Sequence, residues 1–236
     1  MTFESVSLFQ VAALVCGALA LGAQVFVWWA KKYKKKLLDV AKAYTDALDR
    51  GDADELARLR GITRPLYAKY GPKRAQAFEK LGLGEELIVR ERWAEARDVL
   101  ASVDRALLMR AQRPGALTNL AYTMAHAGDP KRACALAAQA LTEAGDDPTY
   151  PPEKLANLQG THGIALSLAG HHVEAVSRLQ SLPDAAGSRR ALAVRAFYLG
   201  VSLEALDRHA EARRVWEIGA QKDGPFAQRS RERMSG

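Results

Sequence analysis

The sequence predicts an all-α protein: a single transmembrane helix at the N-terminus, followed by a solenoid of antiparallel helix pairs. Three observations predict it. Residues 8–30 form an uncharged stretch. Apolar residues recur three and four apart through nearly all of the remainder, which is the period of an amphipathic helix. Four segments of that remainder also share one layout of small and apolar residues.

From Leu8 to Ala30 there are 23 residues without Asp, Glu, Lys or Arg. As a helix rising about 1.5 Å per residue they reach roughly 35 Å, against about 30 Å for a hydrocarbon core. Trp28, Trp29 and Tyr33 mark the C-terminal edge, where amphipathic rings favour the headgroup layer. Charge order argues for a retained anchor rather than a cleaved signal. Residues 1–7, "MTFESVS", have no Lys or Arg, while Lys31, Lys32, Lys34, Lys35 and Lys36 follow the span. A basic flank stays cytoplasmic, so the expected topology has the N-terminus outside and the C-terminal domain in the cytoplasm, at a bacterial inner membrane. The lipid bilayer is then a partner through residues 8–36. Ala13-x-x-x-Gly17 and Ala18-x-x-x-Gly22 are small-xxx-small pairs, which adds a homo-oligomer to the expected partners.

The net charge is +7, but five of the 34 basic residues lie in 31–36, leaving 29 basic against 27 acidic. Binding a phosphate backbone needs a basic face on the folded part, so no nucleic acid is expected. Two cysteines, Cys16 and Cys134, allow neither a disulfide framework nor a zinc pattern.

Residues 37–76 read as amphipathic helices, with a further degenerate repeat as the alternative reading. Leu37, Val40, Ala41, Tyr44, Ala47 and Leu48 share one face, and Gly51 is a helix stop. Pro65, Gly71 and Pro72 are expected to interrupt regular helix, with Pro72 opening the next one. Repeats fill 77–226, and 227–236 are a tail. The segments 81–100, 119–141, 162–182 and 199–220 each begin near a small residue: Gly84, Ala121, Gly163, Gly200. An apolar residue stands three later (Leu87, Met124, Leu166, Leu203), then a turn, then an alanine twelve after the small residue. Those alanines, Ala96, Ala133, Ala175 and Ala212, lie 37, 42 and 37 residues apart. Small residues at fixed places let paired helices pack closely.

This layout resembles the tetratricopeptide repeat (TPR), a helix–turn–helix unit. "LTNLAYTMAHAGDPKRACALAAQAL" carries it best, with Asn119, Leu120, Ala121, Gly128, Asp129, Ala133, Ala140 and Leu141 at favoured places. Glu91 and Asp207 depart from it, standing where a turn glycine is usual. The resemblance implies a right-handed, TPR-like α-solenoid whose first helices line a concave, partner-binding surface. Carried over by position, that surface gives Thr118, Tyr122, Ala125 and His126 in the second unit and Asn157, Gly160, Ile164 and Ser167 in the third. The fourth gives Val194, Phe197, Val201 and Glu204, with Tyr122 and Phe197 as the expected anchors. The Lys and Asn pair by which some members clamp acidic C-termini is missing, so that activity is not expected. Residues 224–233 or 37–60 are the expected occupants if the surface is closed.

There is no Gly-rich phosphate loop, no His-Glu-x-x-His and no Gly-x-Ser-x-Gly. No enzyme is expected: no catalytic residue, no metal and no cofactor. His171, His172 and His209 read as turn residues, and Cys134, Trp93 and Trp216 as packing residues. The expected function is a membrane-anchored scaffold or adaptor that recruits or holds partner proteins. The layout also resembles the membrane-anchored repeat adaptors of lipopolysaccharide assembly, without their four-cysteine tail. A permanent subunit of a larger membrane complex and a preprotein receptor on an organelle outer membrane are the alternatives.

Overall fold

In the computed structural model, residues 35, 39–183 and 188–235 are described. The chain divides into two units, 1–43 and 44–236. In the first, residues 35 and 39–43 are helical. The second opens on helical residues 44–50 (α1), stopped at Gly51 with φ +69°.

Prolines and caps place the helices that follow. Asp52 accepts from Glu55 N at 3.0 Å and starts α2 (Ala53–Ala68). Pro72 opens α3 (Pro72–Val89), where its missing N–H has no helical partner to lose. A tight turn leads to α4 (Trp93–Ala101), and two 3₁₀ turns lead to α5 (Arg113–His126). Asp129 accepts from Arg132 N and caps α6 (Pro130–Gly145), and Pro152 opens α7 (Pro152–Leu168). Then come α8 (His172–Gln180) and α9 (Arg189–Glu204), the latter capped by Ser188. The chain continues through α10 (His209–Ala220) and α11 (Pro225–Ser235). The expected boundary between repeats and tail falls inside α11. Pro65 departs from expectation: α2 runs through it. It stands in the last turn, where a missing N–H costs one helical bond rather than a break in a long ladder.

Successive helices pack as antiparallel pairs, α3 with α4, α5 with α6, α7 with α8, α9 with α10. The first helices also pack on one another, α3 on α5, α5 on α7, α7 on α9, so they form the inner layer of the curve. The small residues sit where the helices of a pair cross. A Cβ at Gly84 would overlap Leu100, one at Gly163 would overlap Leu179, and one at Gly200 would overlap Trp216. Ala121, Ala96, Ala133 and Ala175 are 0% exposed and Ala212 is 1% exposed, so the repeated positions are the packing positions.

The membrane part of the expected fold class is corrected. Among the described residues no helix is long and apolar enough to cross a membrane. The 18 residues of α3 show why: they include Lys73, Arg74, Glu79, Lys80, Glu85 and Glu86, and only one face is buried. The single-pass localisation with a cytoplasmic C-terminal domain, and the bilayer as a partner, are withdrawn with it. The stretch 8–30 and the residues Trp28, Trp29, Lys31, Lys32, Tyr33, Lys34 and Lys36 lie outside the described residues. Lys35 is helical and exposed.

Candidate functional site

The inner layer gathers an aromatic cluster from several helix pairs. His126, in the last turn of α5, stacks on Trp93 with centroids 4.3 Å apart and planes at 18°. Tyr122, one turn earlier, meets both rings edge-on, at 4.5 Å from His126 and 5.7 Å from Trp93. From α9, Tyr198 approaches His126 edge-on at 5.7 Å, with its hydroxyl 3.4 Å from Nδ1. Phe197 packs beside Tyr198 at 5.2 Å. Edge-to-face pairs of this kind add to the burial of the rings.

The cluster is covered from one side. Phe226 at the start of α11, 2% exposed, lies 5.5 Å from Phe197, 5.6 Å from Tyr198 and 6.0 Å from His126. Arg229 lies over the Phe226 ring at 4.4 Å and reaches Glu91 Oε2 at 2.9 Å, joining α11 to the turn after α3. Arg233 adds a second ion pair, to Glu204 at 3.1 Å. Arg190 at the start of α9 donates to Val89 O at the end of α3, 3.5 Å away. The curve of the solenoid thus brings its last helix back to its first pair.

Burial controls the titrating groups here. It holds His126 well below the usual imidazole range, at about 4, with the Arg229 cation pushing the same way. It raises Tyr122 and Tyr198 above the ordinary phenol value. His126 Nε2 and Glu91 Oε1 are buried without a hydrogen-bond partner. At the first-pair end stands Glu85, whose carboxylate accepts from Tyr44 Oη at 2.6 Å and Asn119 Nδ2 at 3.0 Å. Desolvation raises its pKa, against the two hydrogen bonds, which lower it.

The carried-over positions divide into groups. Tyr122, His126 and Phe197 come together in the cluster, and Val201 packs against the same core. Glu204 holds α11 through Arg233. Thr118, Ala125, Ile164 and Val194 are buried in packing, Thr118 returning its hydroxyl to Pro114 O at 2.8 Å. Ser167 is buried too, donating to Tyr198 O and accepting from Ser202 Oγ, which ties α7 to α9. Asn157 is exposed and Gly160 half-buried, apart from the cluster.

Trp93, Glu85, Glu91, Tyr198, Phe226 and Arg229 were missing from the sequence-derived site. Register had a signal for one of them: Glu85 follows Gly84 as Tyr122 follows Ala121, Ile164 follows Gly163 and Val201 follows Gly200. No local pattern marks Phe226 or Arg229. Trp216 behaves as expected of a packing residue, 4% exposed with Nε1 donating to Phe197 O at 3.2 Å. Among the described residues no group of three or more His, Cys, Asp or Glu could hold a metal ion.

No protein-family model matches the chain, and neither does any curated protein. Among solved structures the chain is similar to Bacillus thuringiensis PlcR in complex with the peptide PapR7 and DNA. The TM-score is 0.63 at 14% identity, over 86% of this chain and 73% of that one. The likeness supports a TPR-like, all-helical fold.

Proposed function

We propose that this chain is a TPR-like scaffold whose inner face holds a short segment of a partner protein, without a catalytic step, metal or cofactor of its own. The observation that carries the reading is the gathering of Tyr122, His126, Phe197 and Tyr198 on the inner-layer helices α5 and α9, with Trp93 from the first turn of α4 stacked on His126. Rigid aromatic rings with polar tips are the side chains that carry most binding energy at protein interfaces. The peptide in the PlcR complex is consistent with it. That complex also contains DNA, so the exclusion of nucleic acid drawn from charge balance does not stand as part of the reading.

The test is site-specific photocrosslinking from position 201, on the row that faces the cluster. The expected result is a crosslink to one partner protein, lost when Tyr122→Ala and Phe197→Ala are combined in a chain that keeps its helical circular dichroism. Crosslinks confined to the chain itself, or a partner retained by the double variant, would overturn it. A mobility-shift titration with duplex DNA runs beside it, and a specific shift would replace the peptide reading.

A further inference from the structure

The polarity of α11 is unusual for a helix that packs inside a solenoid. Its sequence, "PFAQRSRERMS", contains three arginines and one glutamate, and its buried members are Phe226, Ala227 and Ser230. Phe226 supplies the one large buried ring, with Ala227 and Met234 packed beside it and Arg231 donating to Ala220 O at 2.8 Å, while two ion pairs, Arg229 to Glu91 and Arg233 to Glu204, complete the attachment. The fit is incomplete. Beneath α11, Glu91 keeps one carboxylate oxygen buried without a donor, and His126 keeps Nε2 without a partner. A buried polar atom left unpaired is a standing cost, which a better-matched occupant removes. Glu91 also adopts φ +56° in a turn where Gly128 and Gly170 serve the second and third pairs. The carboxylate that meets Arg229 therefore stands on a backbone that disfavours any side chain.

We infer that α11 is an internal occupant of the partner-binding face, and that the partner it stands in for is a helical segment presenting an aromatic residue and an arginine one turn apart. The aromatic residue enters the space among Phe197, Tyr198 and His126, and the arginine takes Glu91. The acidic pair Glu91 and Glu204 selects a basic helix over an acidic one, as the two ion pairs of α11 show. This rests on the inner-face reading above and names the chemistry of its ligand.

The probe is a fluorescein-labelled synthetic peptide of residues 222–236, titrated by anisotropy against full-length chains. The full chain carrying Phe226→Ala and Arg229→Ala, confirmed as folded by its melting transition, is expected to bind the peptide at least tenfold more tightly than the unsubstituted chain. Adding Glu91→Gln to it is expected to weaken binding several-fold. A peptide bearing Phe226→Ala and Arg229→Ala is expected to bind neither. Should the double variant fail to fold, Arg229→Glu opens the face by repulsion from Glu91 while keeping Phe226, and Glu91→Arg with Arg229→Glu closes it again. Equal binding to open and closed chains, or none to a folded open chain, would overturn the inference. So would a dimer by light scattering in which α11 of one copy covers another copy. A partner that crosslinks at position 201 without competition from the peptide leaves the inner-face reading intact and removes this one. If there is neither a partner nor peptide binding, both fall.

Discussion

Gly84 and Gly200 hold the same place in the first and last helix pairs, yet they admit different neighbours. Gly84 makes room for Leu100, a branched aliphatic that can change rotamer. Gly200 makes room for Trp216, a rigid ring whose Nε1 is committed to Phe197 O. One position later stand Glu85, hydrogen-bonded to Tyr44 and Asn119, and Val201, packed against the main core. In the turns, Glu91 and Asp207 share a left-handed backbone, φ +56° and +59°. Glu91 uses its side chain to hold Arg229, whereas the Asp207 side chain is 97% exposed. A shared register therefore fixes where a side chain stands, while the neighbour it meets decides its energetic role.

The largest expected difference between the two pairs lies at the glycines. Gly200→Leu forces Trp216 out of place and breaks its hydrogen bond, for a loss of about 3 kcal/mol, roughly 6–12 °C in melting temperature. Gly84→Leu should cost about half as much, because Leu100 can give way. Equal losses in calorimetry would remove the distinction.

The next effect is a pH dependence set by His126, which joins the second pair to the last. Its folded-state pKa, about 4, lies below the 6.5 of an ordinary imidazole, so the unfolded chain takes the proton first. Stability from this group is complete above about pH 6.5 and falls as pH drops towards 4, by on the order of 3 kcal/mol. His126→Phe should flatten that part of a melting-temperature profile, and a parallel slope in wild type and variant would refute the assignment.

Glu85 works the other way. Its pKa is raised in the fold, so its charged form costs stability above the raised value and the cost is relieved as pH falls through it. Glu85→Gln should remove this relief, leaving a steeper acid loss than in wild type. A variant whose acid limb overlays the wild type would show that the site is hydrated.

The smallest effect lies in the turns. Asp207→Gly should relieve the left-handed backbone and stabilise by about 0.5–1 kcal/mol. Glu91→Gly relieves the same strain but leaves Arg229 without its acceptor, and should show no gain in chemical denaturation. Similar gains at both positions would mean that the Glu91–Arg229 pair contributes nothing.

Much of the helix-pair fold was legible in the sequence, because its cues are local. The spacing of Gly84, Ala121, Gly163 and Gly200 with Ala96, Ala133, Ala175 and Ala212 marks the crossing points within each pair, and Pro72 marks a helix start. The uncharged stretch led to a transmembrane architecture, while among the described residues no helix is long and apolar enough to cross a membrane. The site was half legible. Tyr122, His126 and Phe197 fall out of the register, but so do Ile164 and Ser167, which the curve turns into packing residues.

The sequence by itself determined the period, the pair register and the small-to-large contacts, since each depends on residues within one helix–turn–helix unit. Only the tertiary structure decided that Glu91 meets Arg229, 138 residues away, and that Phe226 closes the ring of aromatics around His126. The reason is cumulative. Each pair is rotated a little on the one before it, and the sum of those small rotations, invisible in any one repeat, sets which distant side chains meet.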